Sequence, residues 1–254
     1  MNRGPGIPRA EDSAHGHEPP DWTVQHVVET ASTNTDLLSA VEAGTVGNRT
    51  ALLADHQTAG RGRLDRRWDA PPQANLLVSL LFTNPPSSPS ILTQRVGLAA
   101  IAAIEELAGA DLRSRLGLKW PNDVLLDGRK LAGVLAQRSA ATGAVVVGIG
   151  VNVGWAPDTG SSLARELALD IAPRALLDPM LCEVDRLDDG ATMVAYRTRL
   201  LTLGQRVRVE LPGDQVLIGT ATGVDEDGRI FVDDGTTTHT LDVGDVVHLR
   251  SSPE

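Results

Sequence analysis

The sequence has little cysteine, few aromatic residues and no long apolar run, and each scarcity excludes a class of protein. Its one cysteine, Cys182, permits neither an internal disulfide nor a thiolate metal cluster, which is typical of a reducing compartment. No apolar run approaches the roughly 18 residues of a membrane span, and no apolar secretory segment opens the chain. We therefore expect a soluble, cytoplasmic protein.

Common ligand motifs are also absent. The sequence contains no Gly-x-x-x-x-Gly-Lys-Ser/Thr loop, which excludes a P-loop nucleotidase, and no His-Glu-x-x-His zinc motif. Its six histidines show no ligand spacing, so we assign no metal ligands. The net charge of −10 argues against general nucleic-acid binding, which needs a basic face.

What is present indicates an α+β protein. Hydrophobic residues make up 41% of the chain and aromatic residues 3%, so the core must consist mostly of Leu, Val, Ile and Ala. Strand-like and helix-like segments alternate from Trp22, and short strands separated by Gly and Asp turns follow Gly204. We predict a disordered tail over residues 1–21, a mixed-sheet domain over 22–203 and a small β-barrel over 204–250. Because the tail has no room for a helix-turn-helix, we expect no DNA binding through it.

The main predicted elements follow from periodicity and turn residues. Apolar residues spaced by three and four predict a helix over 92–107, and weaker patterns predict helices over 175–187 and 191–203. Predicted strands span 23–28, 50–54, 76–82, 124–126, 131–137 and 144–153, with a tight turn at Asp127-Gly128.

A glycine-arginine loop, residues 57–63 with Trp68 beyond, lies between two predicted strands. Long connections inside compact domains tend to be binding loops or lids. Glycines let backbone N–H groups turn toward a ligand, and arginines supply cationic forks suited to phosphate or carboxylate. The alternative is a solvated basic loop.

Two further segments carry candidate residues. Lys119-Trp-Pro-Asn-Asp123 places a lysine and two acceptors on one turn, and the hairpin that follows brings Lys130 beside Asp123. The alternative is that the side chains of this turn only form hydrogen bonds with its own backbone. Gly148-Ile-Gly-Val-Asn152 puts two glycines inside an apolar strand, which indicates close approach of a ligand or of another backbone.

Five motifs, taken in order, closely resemble those of the biotin protein ligases. They are the Ser32-Thr-Asn34 turn, the glycine-arginine loop, the Lys-Trp-Pro-Asn-Asp turn, Gly128-Arg-Lys-Leu-Ala-Gly133 and Gly148–Asn152. The resemblance covers residues 22 to 250. It implies the fold shared by class II aminoacyl-tRNA synthetases and biotin synthetases, with an SH3-like C-terminal barrel. It further resembles the monofunctional type, without a repressor domain.

The resemblance implies roles for particular residues. The biotin site would consist of Ser32, Thr33, Asn34, Gln57, Gly60, Arg61, Gly62, Arg63, Lys130 and Gly133. The nucleotide site would consist of Arg63, Trp68, which would stack on adenine, Lys130 and Asn152. The catalytic residues would be Lys130, Arg63, Asp123 and Lys119.

The implied reaction uses ATP and Mg²⁺ to convert biotin to biotinyl-5′-adenylate with release of pyrophosphate, and then transfers the biotinyl group to a biotin carboxyl carrier domain of an acyl-CoA carboxylase. The sequence departs from the family loop at Asp65, where a glycine is usual, which puts retention of the adenylate in question. A lipoate ligase or lipoyl transferase of the same fold, a non-catalytic adenylate-binding module and a generic anion-binding fold remain alternatives. A homodimer is possible, and the sequence does not decide it.

Overall fold

The computed structural model describes residues 21–249 apart from positions 65, 87, 110 and 243. Residues 1–20, which hold nearly all of the predicted tail, and Asp65 in the glycine-arginine loop therefore lie outside the described residues.

A seven-stranded mixed sheet forms the larger part of the structure. Its strands are β1 (Thr23–Thr30), β2 (Thr50–Gln57), β3 (Leu76–Phe82), β4 (Leu116–Lys119), β5 (Asp123–Leu126), β6 (Arg129–Arg138) and β7 (Val145–Val151). Their order across the sheet is β1-β2-β3-β7-β6-β5-β4. Only the β1–β2 pairing is parallel. The central strand β7 is a run of valines and glycines because helices cover both of its faces.

Helices pack on both faces of this sheet. They are α1 (Thr33–Glu42), α2 (Ser90–Ala108), α3 (Leu163–Leu167), α4 (Leu177–Arg186) and α5 (Asp189–Arg199), with a 3-10 turn over Pro173–Leu176. Helix α2 crosses the sheet on one face, and α4 and α5 pack against α2. On the opposite face, Leu37 and Val41 of α1 pack on Leu52, Leu81 and Val146. Because α1 is only ten residues long, it leaves part of that face for a cavity.

A second, five-stranded antiparallel sheet follows. Its strands are β8 (Arg206–Leu211), β9 (Gln215–Val224), β10 (Ile230–Asp233), β11 (Thr238–Leu241) and β12 (Asp245–His248), in the order β11-β10-β9-β8-β12. Alternate residues such as Val207, Val209 and Val246 are fully buried, as expected of strands with one solvated face. This arrangement is compatible with the predicted SH3-like barrel, and the predicted boundary at residue 204 stays a prediction.

The two sheets are joined by direct contacts around Trp120. Its indole N–H donates to the Gly228 carbonyl at 2.9 Å, and its backbone N–H donates to the Thr202 hydroxyl at 3.0 Å. Leu201 N–H also bonds the Leu118 carbonyl at 2.8 Å. The Lys119–Asp123 turn therefore rests on the second sheet, which brings that sheet close to the candidate site.

The predicted elements differ from the observed ones mainly at their ends. The second strand was predicted to stop at Ala54, but it continues to Gln57 and holds that side chain at a fixed point beside the loop. Strand β4 was not predicted, because four residues including Gly117 give too short a pattern. The helix predicted over 175–187 spans Leu177–Arg186, and the one predicted over 191–203 begins earlier, at Asp189, and ends at Arg199, because backbone pairing to β4 begins at Leu200.

Candidate active site

A cavity of about 380 Å³ opens on the α1 face of the larger sheet, and most of the predicted site residues line it. Those at its polar end are Ser32, Thr33, Asn34 and Gln57. Those along the rest of its wall are Arg61, Gly62, Arg63, Trp68, Asp123, Lys130, Gly133 and Asn152. Gly60 and Lys119 are the two predicted residues outside this lining.

The floor of the cavity is made of glycines on neighbouring strands. In the register of the sheet, Gly150 of β7 lies opposite Gly133 of β6, which in turn lies opposite Asp123. A Cβ at Gly150 would collide with the indole of Trp68, and one at Gly133 would lie 3.1 Å from that ring. These positions therefore need glycine so that a flat ring can lie directly on the backbone.

The polar end is a buried hydrogen-bond network at the N-terminus of α1. The Thr33 backbone N–H donates to Gln57 Oε1 at 2.8 Å, and Thr33 Oγ1 lies 2.7 Å from Ser79 Oγ. The amide of Asn34 donates to the Leu135 carbonyl at 3.1 Å. Such a network supplies both donors and acceptors to a polar ligand.

Lys130 lies at the centre of the cavity wall. Its ammonium is 2.6 Å from Asp123 Oδ1 and 5.6 Å from the centre of the Trp68 ring. Its backbone carbonyl accepts from Ser161 N–H at 2.8 Å, which fixes the start of β6 against the segment after β7. The structure thus confirms that hairpin geometry brings Lys130 and Asp123 together, while their catalytic roles stay predictions.

The glycine-arginine loop folds into a narrow ribbon over the cavity. The Gly60 carbonyl accepts a hydrogen bond from Trp68 N–H at 3.0 Å, and Gly62 N–H donates to the Arg66 carbonyl at 2.7 Å. A Cβ at Gly60 would collide with the Trp68 carbonyl, so glycine is required where the two arms of the ribbon meet. Gly60 therefore closes the loop from behind and does not face the cavity.

Arg63 lies between the two sheets. It donates to Asn122 Oδ1 at 3.4 Å. Burial lowers the pKa of Arg63, and the nearby carboxylates of Asp245 and Asp123 oppose that effect. A guanidinium keeps its proton far above neutral pH, so Arg63 stays charged and offers its donors to an anion.

The second sheet contributes a carboxylate to the same cavity. Asp245 at the start of β12 lines it and forms an ion pair of 2.5 Å with Arg66 of the loop. The side chain of Asp245 is about a quarter exposed and that of Arg66 mostly exposed. The second sheet thereby holds the outer arm of the ribbon.

Asn152 is more constrained than the sequence suggested. The Asn152 amide is tied at both ends, because it donates to the Ser161 carbonyl at 3.0 Å and accepts from Asn75 at 3.2 Å. It shapes the cavity wall. Lys119 lies opposite Asp123 in the register. Burial lowers the pKa of His248, and the charge of Lys119 adds to that effect.

Both parts of the chain match families of known proteins. A model of the Biotin/lipoate A/B protein ligase family matches residues 27–154, and a model of the Biotin protein ligase C terminal domain matches residues 202–249. A biotin--[acetyl-CoA-carboxylase] ligase of Mycobacterium tuberculosis is 39% identical over 238 residues, covering 88% of this chain and 88% of the relative. The chain belongs to the biotin protein ligase family.

Two other family members are also similar. The Bifunctional ligase/repressor BirA of Escherichia coli is 29% identical over 252 residues, which cover 87% of this chain and 72% of the relative. The structure of the Aquifex aeolicus biotin protein ligase in complex with biotin and ATP superposes with a TM-score of 0.76. It is 26% identical and covers 90% of this chain and 99% of that chain.

Sequence reasoning missed several residues that the family fold brings to the cavity. Asn122 belongs to the Lys-Trp-Pro-Asn-Asp turn but was given no role, whereas Arg66 and Asp245 lie outside the motifs and only the tertiary structure places them there. Ser79 did carry a signal, because it is the single polar residue in the strand Leu76–Phe82. In addition, the indole N–H of Trp68 is buried against Gly150 without a hydrogen-bond partner among the described residues.

Proposed function

We propose that the chain is an ATP-dependent ligase that activates biotin as biotinyl-5′-AMP and transfers the biotinyl group to a lysine of a biotin carboxyl carrier domain. The observation that carries the proposal is the division of one cavity into two ends. One end is a buried network of donors and acceptors that includes Thr33 and Gln57, and the other end is a cationic wall with Lys130 and Arg63. Biotin itself is divided in this way, with a ureido ring at one end and a carboxylate at the other.

The first step joins two anions. A biotin carboxylate oxygen forms a bond to the α-phosphorus of ATP, and the bond from that phosphorus to pyrophosphate breaks. Lys130 and Arg63 supply positive charge where the two anions meet, and preorganised charge of this kind is a large catalytic effect. Trp68 and the ribbon above it would exclude water from the adenylate. Stacking of Trp68 on adenine is part of the proposal.

The second step transfers the acyl group to an amine. The carrier lysine attacks the acyl carbon, AMP leaves, and the amine loses a proton. A free lysine has a pKa of about 10.4, so a base near the acyl carbon helps. Asp123 is the proposed base. It is paired with Lys130 at 2.6 Å, and it becomes available once Lys130 turns to the phosphate.

Mg²⁺ belongs to the proposal as a companion of ATP. Among the described residues no group of three or more His, Cys, Asp or Glu is placed to hold a metal ion. Mg²⁺ is usually held by one or two carboxylates together with substrate phosphates, and Asp69, Asp123 and Asp245 are the carboxylates that line the cavity. When bound, the ion would neutralise charge on the leaving pyrophosphate.

The carrier, the assembly and the location complete the proposal. A carboxylase carrier domain as acceptor accords with the name of the Mycobacterium tuberculosis relative. The outer strand β1 leaves a sheet edge suited to pairing with a second copy or a carrier domain, and the homodimer stays a prediction. No described helix combines the length and the apolar character needed to cross a membrane. A cytoplasmic location and the lack of DNA binding stay predictions from composition.

The test is to incubate the pure protein with biotin, labelled ATP and Mg²⁺ in the absence of carrier, with lipoate in a parallel reaction. We expect biotinyl-adenylate and pyrophosphate with biotin and no product with lipoate, because a dithiolane cannot satisfy the network at Thr33 and Gln57. Adenylate formed from lipoate alone would move the chain to the lipoate ligases. The absence of both adenylates would favour a non-catalytic binding module.

The role of Asp123 can be tested by measuring the two half-reactions separately. We expect Asp123→Ala to slow transfer from preformed biotinyl-adenylate to carrier by about a hundredfold, as is typical for loss of a general base. Adenylate formation should fall by only a few fold. Equal losses in the two half-reactions would contradict this assignment.

A further inference from the structure

Ser79 lies beneath the polar end of the cavity and does not line it. It is fully buried at the middle of β3, directly opposite Gly148 of β7. Its hydroxyl is 2.7 Å from Thr33 Oγ1 and 2.6 Å from Asn34 Oδ1. It therefore connects two of the side chains that face the cavity.

The geometry fixes which atom of each amide points where. The Asn34 nitrogen must be the atom beside the Leu135 carbonyl, since a carbonyl can only accept. Asn34 therefore turns its oxygen toward Ser79. In the same way, Gln57 must turn its oxygen toward the Thr33 backbone N–H at 2.8 Å, since a nitrogen there would set donor against donor.

Counting protons then determines the remaining bonds. Ser79 has one hydroxyl proton, and the Asn34 oxygen at 2.6 Å requires it. Ser79 can bond Thr33 only by accepting, so the single hydroxyl proton of Thr33 points at Ser79. The 3.0 Å between Thr33 Oγ1 and Gln57 Oε1 would allow a hydrogen bond, but Thr33 has only one hydroxyl proton. With that proton directed at Ser79, both atoms are acceptors.

We propose that Ser79 is a positioning residue that draws the Thr33 proton away from the cavity, and so makes Thr33 Oγ1 and Gln57 Oε1 a joint acceptor for a ligand N–H. Two acceptors in contact repel until a donor is placed between them, so the site selects a ligand with a ring N–H at this point. This inference rests on the proposed function, in which that donor is one N–H of the biotin ureido ring.

The experiment measures binding and not activity. Biotin and the two cyclic carbamate analogues, each with one ureido N–H replaced by a ring oxygen, are titrated calorimetrically without ATP. A ring oxygen facing Thr33 and Gln57 would add a third acceptor. For the wild-type protein we expect one of the two carbamates to bind at least about tenfold more weakly than biotin, as is typical of an unpaired buried polar group.

The Ser79→Ala variant supplies the decisive comparison. Without Ser79, the Thr33 hydroxyl can rotate its proton to Gln57 or to the ligand, so the penalty on that carbamate should fall below about threefold. The penalty on the other isomer should stay unchanged, because its ring oxygen does not face Thr33. A purely structural effect of the substitution would weaken all three ligands alike.

Ser139→Ala is the matched control. Ser139 is also a buried serine that donates to a side chain of α1, here Glu42 at 2.6 Å, but it lies outside the cavity lining. We expect this variant to keep the wild-type ratios between biotin and both carbamates.

Two results would overturn the proposal. One is wild-type binding of both carbamates as tight as that of biotin, which can be measured even if Ser79→Ala does not fold. The other is an unchanged ratio between the two carbamates in a folded Ser79→Ala protein. Failure of the wild-type protein to form biotinyl-adenylate would instead count against the proposed function, so the two failures are distinguishable.

Discussion

Replacing Lys130 by glutamine tests the cationic wall most directly. The substitution keeps most of the side-chain volume and removes the charge that lies 2.6 Å from Asp123 and faces the cavity. If the ammonium neutralises the meeting of carboxylate and α-phosphate, its loss should slow adenylation and leave the fold intact.

The magnitude follows from the position of the residue. Two unit charges about 4 Å apart at an effective dielectric constant near 20 interact with about 4 kcal/mol. Because Arg63 remains beside the reacting groups, we expect a loss of about 3 kcal/mol, or roughly a hundredfold in rate. The side chain of Lys130 is 42% exposed and that of Asp123 is 18% exposed, so the ion pair should contribute under about 1 kcal/mol to stability.

The assay combines biotin-dependent pyrophosphate exchange with thermal unfolding of the same samples. We expect kcat/KM to fall about a hundredfold while Tm shifts by less than about 4 °C. Arg129→Gln is the control, because Arg129 is the adjacent cation and pairs with Glu166 outside the cavity. Exchange by Lys130→Gln within about threefold of wild type would refute the reasoning, as would a loss of similar size in Arg129→Gln.

Three further predictions concern the second sheet and the core. Asp245→Asn removes the ion pair with Arg66, so the ribbon should close less firmly over the cavity. We expect KM for ATP to rise roughly fivefold, equivalent to about 1 kcal/mol. Steady-state kinetics that show no change in KM would mean that the pair does not hold the loop. Tyr196 is fully buried and its hydroxyl has no partner among the described residues. Tyr196→Phe should therefore leave Tm unchanged or raise stability by about 1 kcal/mol. A clear fall in Tm would disprove this. Burial lowers the pKa of His248 in the folded protein. Below about pH 6.5 the unfolded chain therefore binds more protons than the folded one, and the free energy of unfolding should decline as pH falls. Denaturant titrations at pH 7.5 and 5.5 should show a smaller decline for His248→Gln than for wild type.

The sequence by itself determined the family and most elements of the larger sheet. Apolar periodicity was enough for α2, and strand β3 was predicted with its observed ends because seven mostly apolar residues lie between two polar connections. The hairpin turn at Asp127-Gly128 was confirmed with positive φ at both residues, because its chemistry is local. Local signals of this kind do not depend on the rest of the chain.

The candidate site was predicted as a set of motifs, and twelve of its fourteen residues line one cavity. Ordered motifs on adjacent strands were sufficient, since neighbouring strands of a sheet bring their side chains together. The exceptions are Gly60 and Lys119. Glycine is needed at Gly60 for contact between the two arms of the ribbon, and its place in the biotin site stays a prediction. A pattern of residue types cannot distinguish these two uses of glycine.

Only the tertiary structure decided which distant residues complete the site. Asp245 reaches Arg66 because β12 packs beside the ribbon, across 179 positions of the sequence. Ser79 connects Thr33 and Asn34 because β3 lies under the N-terminus of α1. Hydrogen-bond direction depends on every partner in a buried network, so the donor or acceptor role of Thr33 follows from three elements together. The sequence determined which groups are available, and their packing determined which way each proton points.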